Sequence, residues 1–217
     1  MDNAFQEEVT ADCRKWAADV GAIGNRQNRF AYFQDELPAL LSKRALFEGL
    51  LKGIIDGNPY PDVRQETFFD NEFILYRDPA RLFSLRLYIF GAGERTCVHD
   101  HTSWGVSGSA FGKLEVVRYR HEDDGLDPDR AQLARLGNVV LWPGETEKTL
   151  PLDQGIHCTG NPAEGTTLMV SVYGTPLRRL YIQRFDLENG SVHRVFPARL
   201  RKKMLAEQAL KAIARTR

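Results

Sequence analysis

The chain of 217 residues is 42% hydrophobic and 27% charged, which supports a buried core and one domain, with or without an appendage. Its 29 lysines and arginines balance 29 acidic residues, so no overall field exists to hold nucleic acid or an anionic membrane, and a small molecule is the expected partner. No run approaches the roughly 18 apolar residues of a membrane span, the start "MDNAFQEEV" lacks the basic and apolar regions of an export signal, and Cys13, Cys97 and Cys158 are too few for a disulfide framework, which predicts a soluble, cytoplasmic protein with free thiols.

From Ala4 to about Asp56 the periodicity is helical. "EEVTADCRKWAADV" places Val9, Cys13, Trp16 and Val20 near one face, and "LPALLSKRALFEGLLKGII" repeats apolar residues at helical spacing. Gly57, Asn58, Pro59 and Pro61 end this region. The segments that follow read as strands: "EFILYR", "LFSLRLYIF", "RTCVHDH", "SAFGKLEVVRYR", "GNVVLW", "TTLMVSVYG", "LRRLYIQRFDL" and "SVHRVF", with an Asn-Gly turn in "ENGS". Short strands at this spacing predict a small barrel or jelly roll. After Pro197 the chain returns to a basic helix, expected to pack through Leu200, Met204, Leu205, Leu210 and Ile213. The chain thus divides into a helical segment (1–62), a barrel (63–196) and a terminal helix (197–217), all within a single domain.

The stretch "CVHDHTSWG" carries the first chemical signal. On a strand, side chains alternate, so Cys97, His99 and His101 share one face, and residues two apart lie ~6.6–7 Å apart at Cα, from which two imidazoles can converge on one ion. The chain has five histidines; His121 lies in a charged turn and His193 beyond the last hairpin, which leaves His157 as the remaining candidate for a third ligand. By itself a His-X-His pair is more readily a polar turn or two satisfied core histidines.

The surrounding spacing alters that balance. Gly93, His99, His101, Gly105 and Gly112 are spaced as in the first motif of the cupin superfamily, with Gly105 in the place of its glutamate. Gly137, Pro143, His157 and Asn161 resemble the second motif, although Gly144 follows Pro143 directly and the run from Pro143 to His157 is longer than the pattern. The resemblance implies a mainly β fold: a cupin double-stranded β-helix, or jelly-roll barrel, with N-terminal helices and a C-terminal helix. Trp104 and Trp142 are expected to pack at the barrel's mouth.

From about Glu72 to Arg179 the chain resembles the thiol dioxygenases, the cysteine dioxygenase and 3-mercaptopropionate dioxygenase family, most specifically in "HDHTSWG". The resemblance implies Fe(II)- and O2-dependent oxidation of a small thiol carboxylate to its sulfinate, with His99, His101 and His157 as iron ligands. Three neutral ligands leave the metal its full charge, which favours an anionic sulfur donor. "ILYRD" offers Tyr76 and Arg77 as substrate-binding residues, and "YGTPLRRL" offers Arg178 or Arg179 for the carboxylate, a role suited to a planar guanidinium.

Where the family has Ser-X-His-X-Tyr, this chain has Met169, Ser171 and Tyr173. Tyr173 is expected to donate a hydrogen bond to the reacting group, with Ser171 supporting it directly or through water. Gly105 excludes the cysteine–tyrosine crosslink of the animal enzymes. The alternatives are another metal-dependent cupin using zinc, nickel or manganese, such as a diketone or flavonol dioxygenase or a zinc hydrolase or lyase, and a non-enzymatic cupin that binds a ligand or metal.

Overall fold

The structure, a computed structural model, describes residues 4–177 and 179–215. Helices α1 (Ala4–Ala22), α2 (Arg26–Leu41) and α3 (Arg44–Ile55) lead into strands β1 (Glu72–Arg77), β2 (Phe83–Phe90), β3 (Val98–His99), β4 (Gly105–Phe111) and β5 (Leu114–His121). Then come β6 (Leu133–Leu141), β7 (Thr146–Thr149), β8 (His157–Gly160), β9 (Thr167–Gly174), β10 (Ile182–Phe185), β11 (Val192–Val195) and helix α4 (Ala198–Arg215). Among the described residues, no helix is long and apolar enough to cross a membrane.

The strands form two antiparallel sheets, ordered β1-β2-β9-β4-β7 and β11-β10-β3-β8-β5-β6. Their inner faces meet where Tyr88, Phe90 and Met169 of the first pack with Leu114, Val116 and Leu141 of the second. Two facing antiparallel sheets between which the chain crosses repeatedly from β2 to β10 make a jelly-roll barrel.

Strand alternation explains why the first sheet needs a cover. Phe83, Leu85 and Leu87 of β2 and Leu168, Val170 and Val172 of β9 all point outward and are buried against the N-terminal helices. An antiparallel sheet that is apolar on its outer face cannot be left in water. α1 supplies Val9, Cys13, Trp16 and Val20, the face read from its periodicity, and α2 supplies Phe30, Phe33, Leu37, Leu40 and Leu41. The aromatic contacts are close: the rings of Trp16 and Phe33 stand 5.7 Å apart, edge to face, and those of Phe33 and Trp104 stand 5.8 Å apart.

Several expectations are corrected here. Trp104 belongs to this helix-covered layer, not to the barrel's mouth, while Trp142 is 54% exposed with the Lys113 ammonium 4.4 Å from its ring. "SAFGKLEVVRYR" is two strands, because Gly112 turns the chain at a φ of 73° and a Cβ there would lie 2.5 Å from the Thr166 carbonyl oxygen. On α4, Leu200 and Met204 are half-buried, whereas Leu205, Leu210 and Ile213 are exposed.

Candidate metal centre

β3 is only two residues long, yet its register sets the centre. His99 lies directly opposite His157 on β8, so the two side chains share the inner face of the sheet. His101 sits just past the end of β3, where its carbonyl oxygen accepts a hydrogen bond from the Leu152 N–H at 2.8 Å. The three rings converge, with centroids 4.8 Å apart for His99–His101, 5.0 Å for His99–His157 and 4.8 Å for His101–His157. Their candidate ligand nitrogens all lie within 4.8 Å of one another, and all three residues are buried.

The donor set fits a divalent metal. Burial, countered only by the Cys97 carbonyl, pulls the pKa of His99 down to about 4. Burial and the neighbouring imidazoles hold His101 and His157 well below the ordinary histidine value. All three are therefore neutral near pH 7, as ligands must be. Nδ1–H of His99 donates to the Cys97 carbonyl at 2.9 Å, which leaves Nε2 with its lone pair toward the centre. Nε2 of His101 and Nε2 of His157 stand 3.1 Å apart. Two ligands at right angles on a metal, each bonded at ~2.1 Å, lie ~3 Å apart.

The other sequence-derived residues go different ways. A register shift in β1 between Ile74 and Tyr76 reverses the alternation. Tyr76 consequently faces outward, its ring 5.9 Å from that of Phe83 in the helix-covered core, and Arg77 turns back to line the cavity over His99 and His101. Arg77 is exposed at the cavity's mouth and makes no ion pair among the described residues. Arg179 is occupied elsewhere: its Nη2 donates to Asp100 at 2.6 Å, and its guanidinium lies over the Tyr181 ring. Asp100, between two of the histidines, points away from them as alternation requires and is wholly buried. Arg178 lies outside the described residues.

Tyr173 faces inward with Met169 and Ser171. Its ring stacks on His101 at 5.5 Å and 22°. Gly105 makes room for it, since a Cβ there would come within 2.8 Å of the Tyr173 ring. Ser171 lies 2.8 Å from Ser107, oxygen to oxygen, and Tyr88 and then Ser171 oppose the rise that burial gives the pKa of Tyr173. Cys97 lines a neighbouring groove and Cys158 packs in a core on the far side of its sheet, so neither thiol joins the histidines.

The cavity beside the histidines has a volume of about 330 Å³. Its wall includes Glu72, Arg86 and Tyr88, which the sequence reading passed over. A signal was present: in "FSLRLYIF" one face is wholly apolar while the other reads Ser84, Arg86 and Tyr88, and a charge in the middle of an inward-facing row marks a polar cavity.

No protein-family model matches the chain. Solved structures similar to part of it include an oxalate oxidase in complex with the substrate analogue glycolate, 22% identical with a TM-score of 0.34 over 46% of this chain and 44% of that one. Others are an oxalate decarboxylase formate complex from Lactobacillus farciminis (14%, TM-score 0.38, 52% of this chain and 31% of that one) and a cupin 2 conserved barrel domain protein from Rhodopseudomonas palustris (11%, TM-score 0.37, 54% and 68%). The chain spans less than half the length of the oxalate oxidase it matches. The strand order defines a two-sheet jelly-roll barrel, and His99, His101 and His157 form a buried candidate metal centre within it.

Proposed function

We propose that this protein is an Fe(II)- and O2-dependent thiol dioxygenase that converts a small thiol carboxylate to its sulfinate. The observation that carries the reading is the donor set: three neutral imidazoles with no carboxylate among them, beside a cavity lined by the guanidinium of Arg77, which makes no ion pair among the described residues. A neutral donor set favours an anionic sulfur ligand. When bound, the ferrous ion supplies a Lewis-acidic place for the thiolate and the redox chemistry of O2.

The protein's own residues do the rest. His99, His101 and His157 hold the metal. Arg77 receives the substrate carboxylate as a planar two-donor fork, which fixes the sulfur end against the histidines. Tyr173 presents its hydroxyl beside His101 as a hydrogen-bond donor to the oxidised sulfur group; burial raises its pKa above the ordinary phenol value, so it stays protonated at neutral pH. The net change is R–SH + O2 → R–SO2⁻ + H⁺, the proton leaving when the thiol binds as thiolate.

The test is anaerobic reconstitution with Fe(II), followed by O2 uptake and product analysis with cysteine, 3-mercaptopropionate, cysteamine and mercaptosuccinate. One equivalent of sulfinate per O2 from a thiol carboxylate is the expected result. Zinc in protein purified without chelator, together with no O2 uptake on any thiol, would overturn it in favour of a hydrolytic or lyase cupin.

A further inference from the structure

Tyr88 on β2 and Ser171 on β9 stand beside the Tyr173 hydroxyl, which leaves the question of what holds the ring itself in register with the histidines. Resting on the thiol dioxygenase reading, we propose that Glu72 and Arg86 are positioning residues: a buried carboxylate–guanidinium clamp that holds Tyr173 and Phe69 against the three-histidine centre.

The clamp starts at Glu72, whose side chain is wholly buried. One carboxylate oxygen accepts a short hydrogen bond from Nη1 of Arg86. The other accepts the backbone N–H groups of Phe68 at 3.1 Å and Phe69 at 3.4 Å. Strand pairing sets this up: Glu72 lies opposite Tyr88 and Ile74 opposite Arg86, so the acid and the guanidinium project from neighbouring positions on the inner face. Arg86 is further steadied by donating from Nε to the Ser84 hydroxyl at 3.3 Å.

Each end of the clamp reaches a metal-centre histidine through one aromatic ring. The Arg86 guanidinium lies 5.3 Å from the centroid of the Tyr173 ring, which stacks on His101. At the other end the Phe69 ring stands 5.0 Å from His99 and 6.3 Å from Tyr88. Thr67 pins the same segment by donating to the Phe69 carbonyl at 2.6 Å. One carboxylate therefore couples the loop that shields His99 to the strand that presents Tyr173.

The chemistry favours this role over direct substrate binding. A buried carboxylate is costly unless its acceptors are filled, and a filled network confines its members to one geometry. Both oxygens of Glu72 are engaged, and Arg86 already has its counter-ion. Burial works against the Arg86 charge, but Glu72, Tyr88 and Tyr173 more than offset it and hold the guanidinium above its ordinary pKa. Arg77 and Arg81 line the cavity without an ion pair among the described residues, so a free guanidinium is left for the substrate without Arg86.

The experiment compares Glu72→Gln and Arg86→Lys with the parent protein by two readouts. In metal-free protein, hydrogen exchange at the Phe68 and Phe69 amides should quicken about tenfold in Glu72→Gln, because a neutral amide is a weaker acceptor than a carboxylate, while the amides of β9 and β4 keep their parent rates. In Fe(II)-loaded protein, sulfinate formed per O2 consumed should fall well below one, with kcat reduced about tenfold and the thiol KM changed less than about twofold. Arg86→Lys, which keeps the charge without the fork, should recover part of the coupling. Should both variants turn over with full coupling and unaltered exchange, or lose melting temperature and activity together with coupling intact, the clamp has no positioning role. A parent protein that oxidises no thiol would instead defeat the functional reading, and the exchange result then bears on the clamp alone.

Discussion

Replacing Arg179 with methionine tests whether that guanidinium serves the fold or the substrate. The side chain of Asp100 is wholly buried and that of Arg179 is 17% exposed, so solvent and salt screen the pair little. Burial already pushes the Asp100 carboxyl above its ordinary pKa, opposed by Arg179 and by the Gln183 N–H that donates to it at 2.7 Å. Breaking a buried ion pair from one side costs ~3–5 kcal/mol. The surviving Gln183 bond, and the freedom of Asp100 to take up a proton, place this case near the lower end, at ~3 kcal/mol. For a chain of this size that is a fall in Tm of roughly 6–12 °C, measured by thermal unfolding at pH 7.5. Two further measurements sharpen it. The penalty should shrink as pH falls, because Asp100, its pKa already raised by burial, needs no counter-ion once it takes up a proton, and Asp100→Asn combined with Arg179→Met should recover most of the loss. The thiol KM should stay within about twofold of the parent value, since a substrate contact would cost a charge-assisted bond and about tenfold or more. A Tm within about 2 °C of the parent together with a large rise in KM would return Arg179 to the substrate and refute the reasoning.

Gly105→Ala should destabilise the fold by ~1–3 kcal/mol, seen in urea denaturation, and should lower kcat more than it raises KM, because the added methyl would sit 2.8 Å from the Tyr173 ring. The metal-free protein should weaken in acid. The folded pKa of His99, about 4, lies below its ordinary 6.5, so its contribution is full above pH 6.5 and is lost as pH falls toward 4, by ~3 kcal/mol. His101 and His157 act in the same direction, and a melting temperature flat from pH 7 to 4.5 would contradict this. Chelation should lower Tm and re-addition of Fe(II) restore it, by ~4 kcal/mol at a thousand times Kd, whereas His157→Ala should abolish the shift and leave metal content near zero by elemental analysis.

Local spacing made part of this legible. The face Val9, Cys13, Trp16 and Val20 of α1 follows from helical periodicity and is buried as a set. His99 and His101 are two residues apart, so one stretch of chain determines their separation, and the motif spacing led to His157. The clamp was not legible. Glu72 and Arg86 lie on different strands, and only the β1–β2 register shows that they touch. That Arg77 faces the cavity while Tyr76 does not has a related reason: a bulge flips every later side chain to the other face, and nothing in "ILYRD" announces one.

By itself, then, the amino-acid order determined the apolar periodicities, the boundary near Pro59 and Pro61, and a histidine pair two residues apart, because these depend on backbone geometry repeated over a few residues. Only the tertiary structure decided that Arg179 answers Asp100, that Arg86 answers Glu72, that Trp104 lies under the helices, and that Arg77 is left facing the cavity. Which charge meets which is fixed by strand register and by the cost of burying any charge alone. Both are properties of the whole packed barrel, not of any one segment.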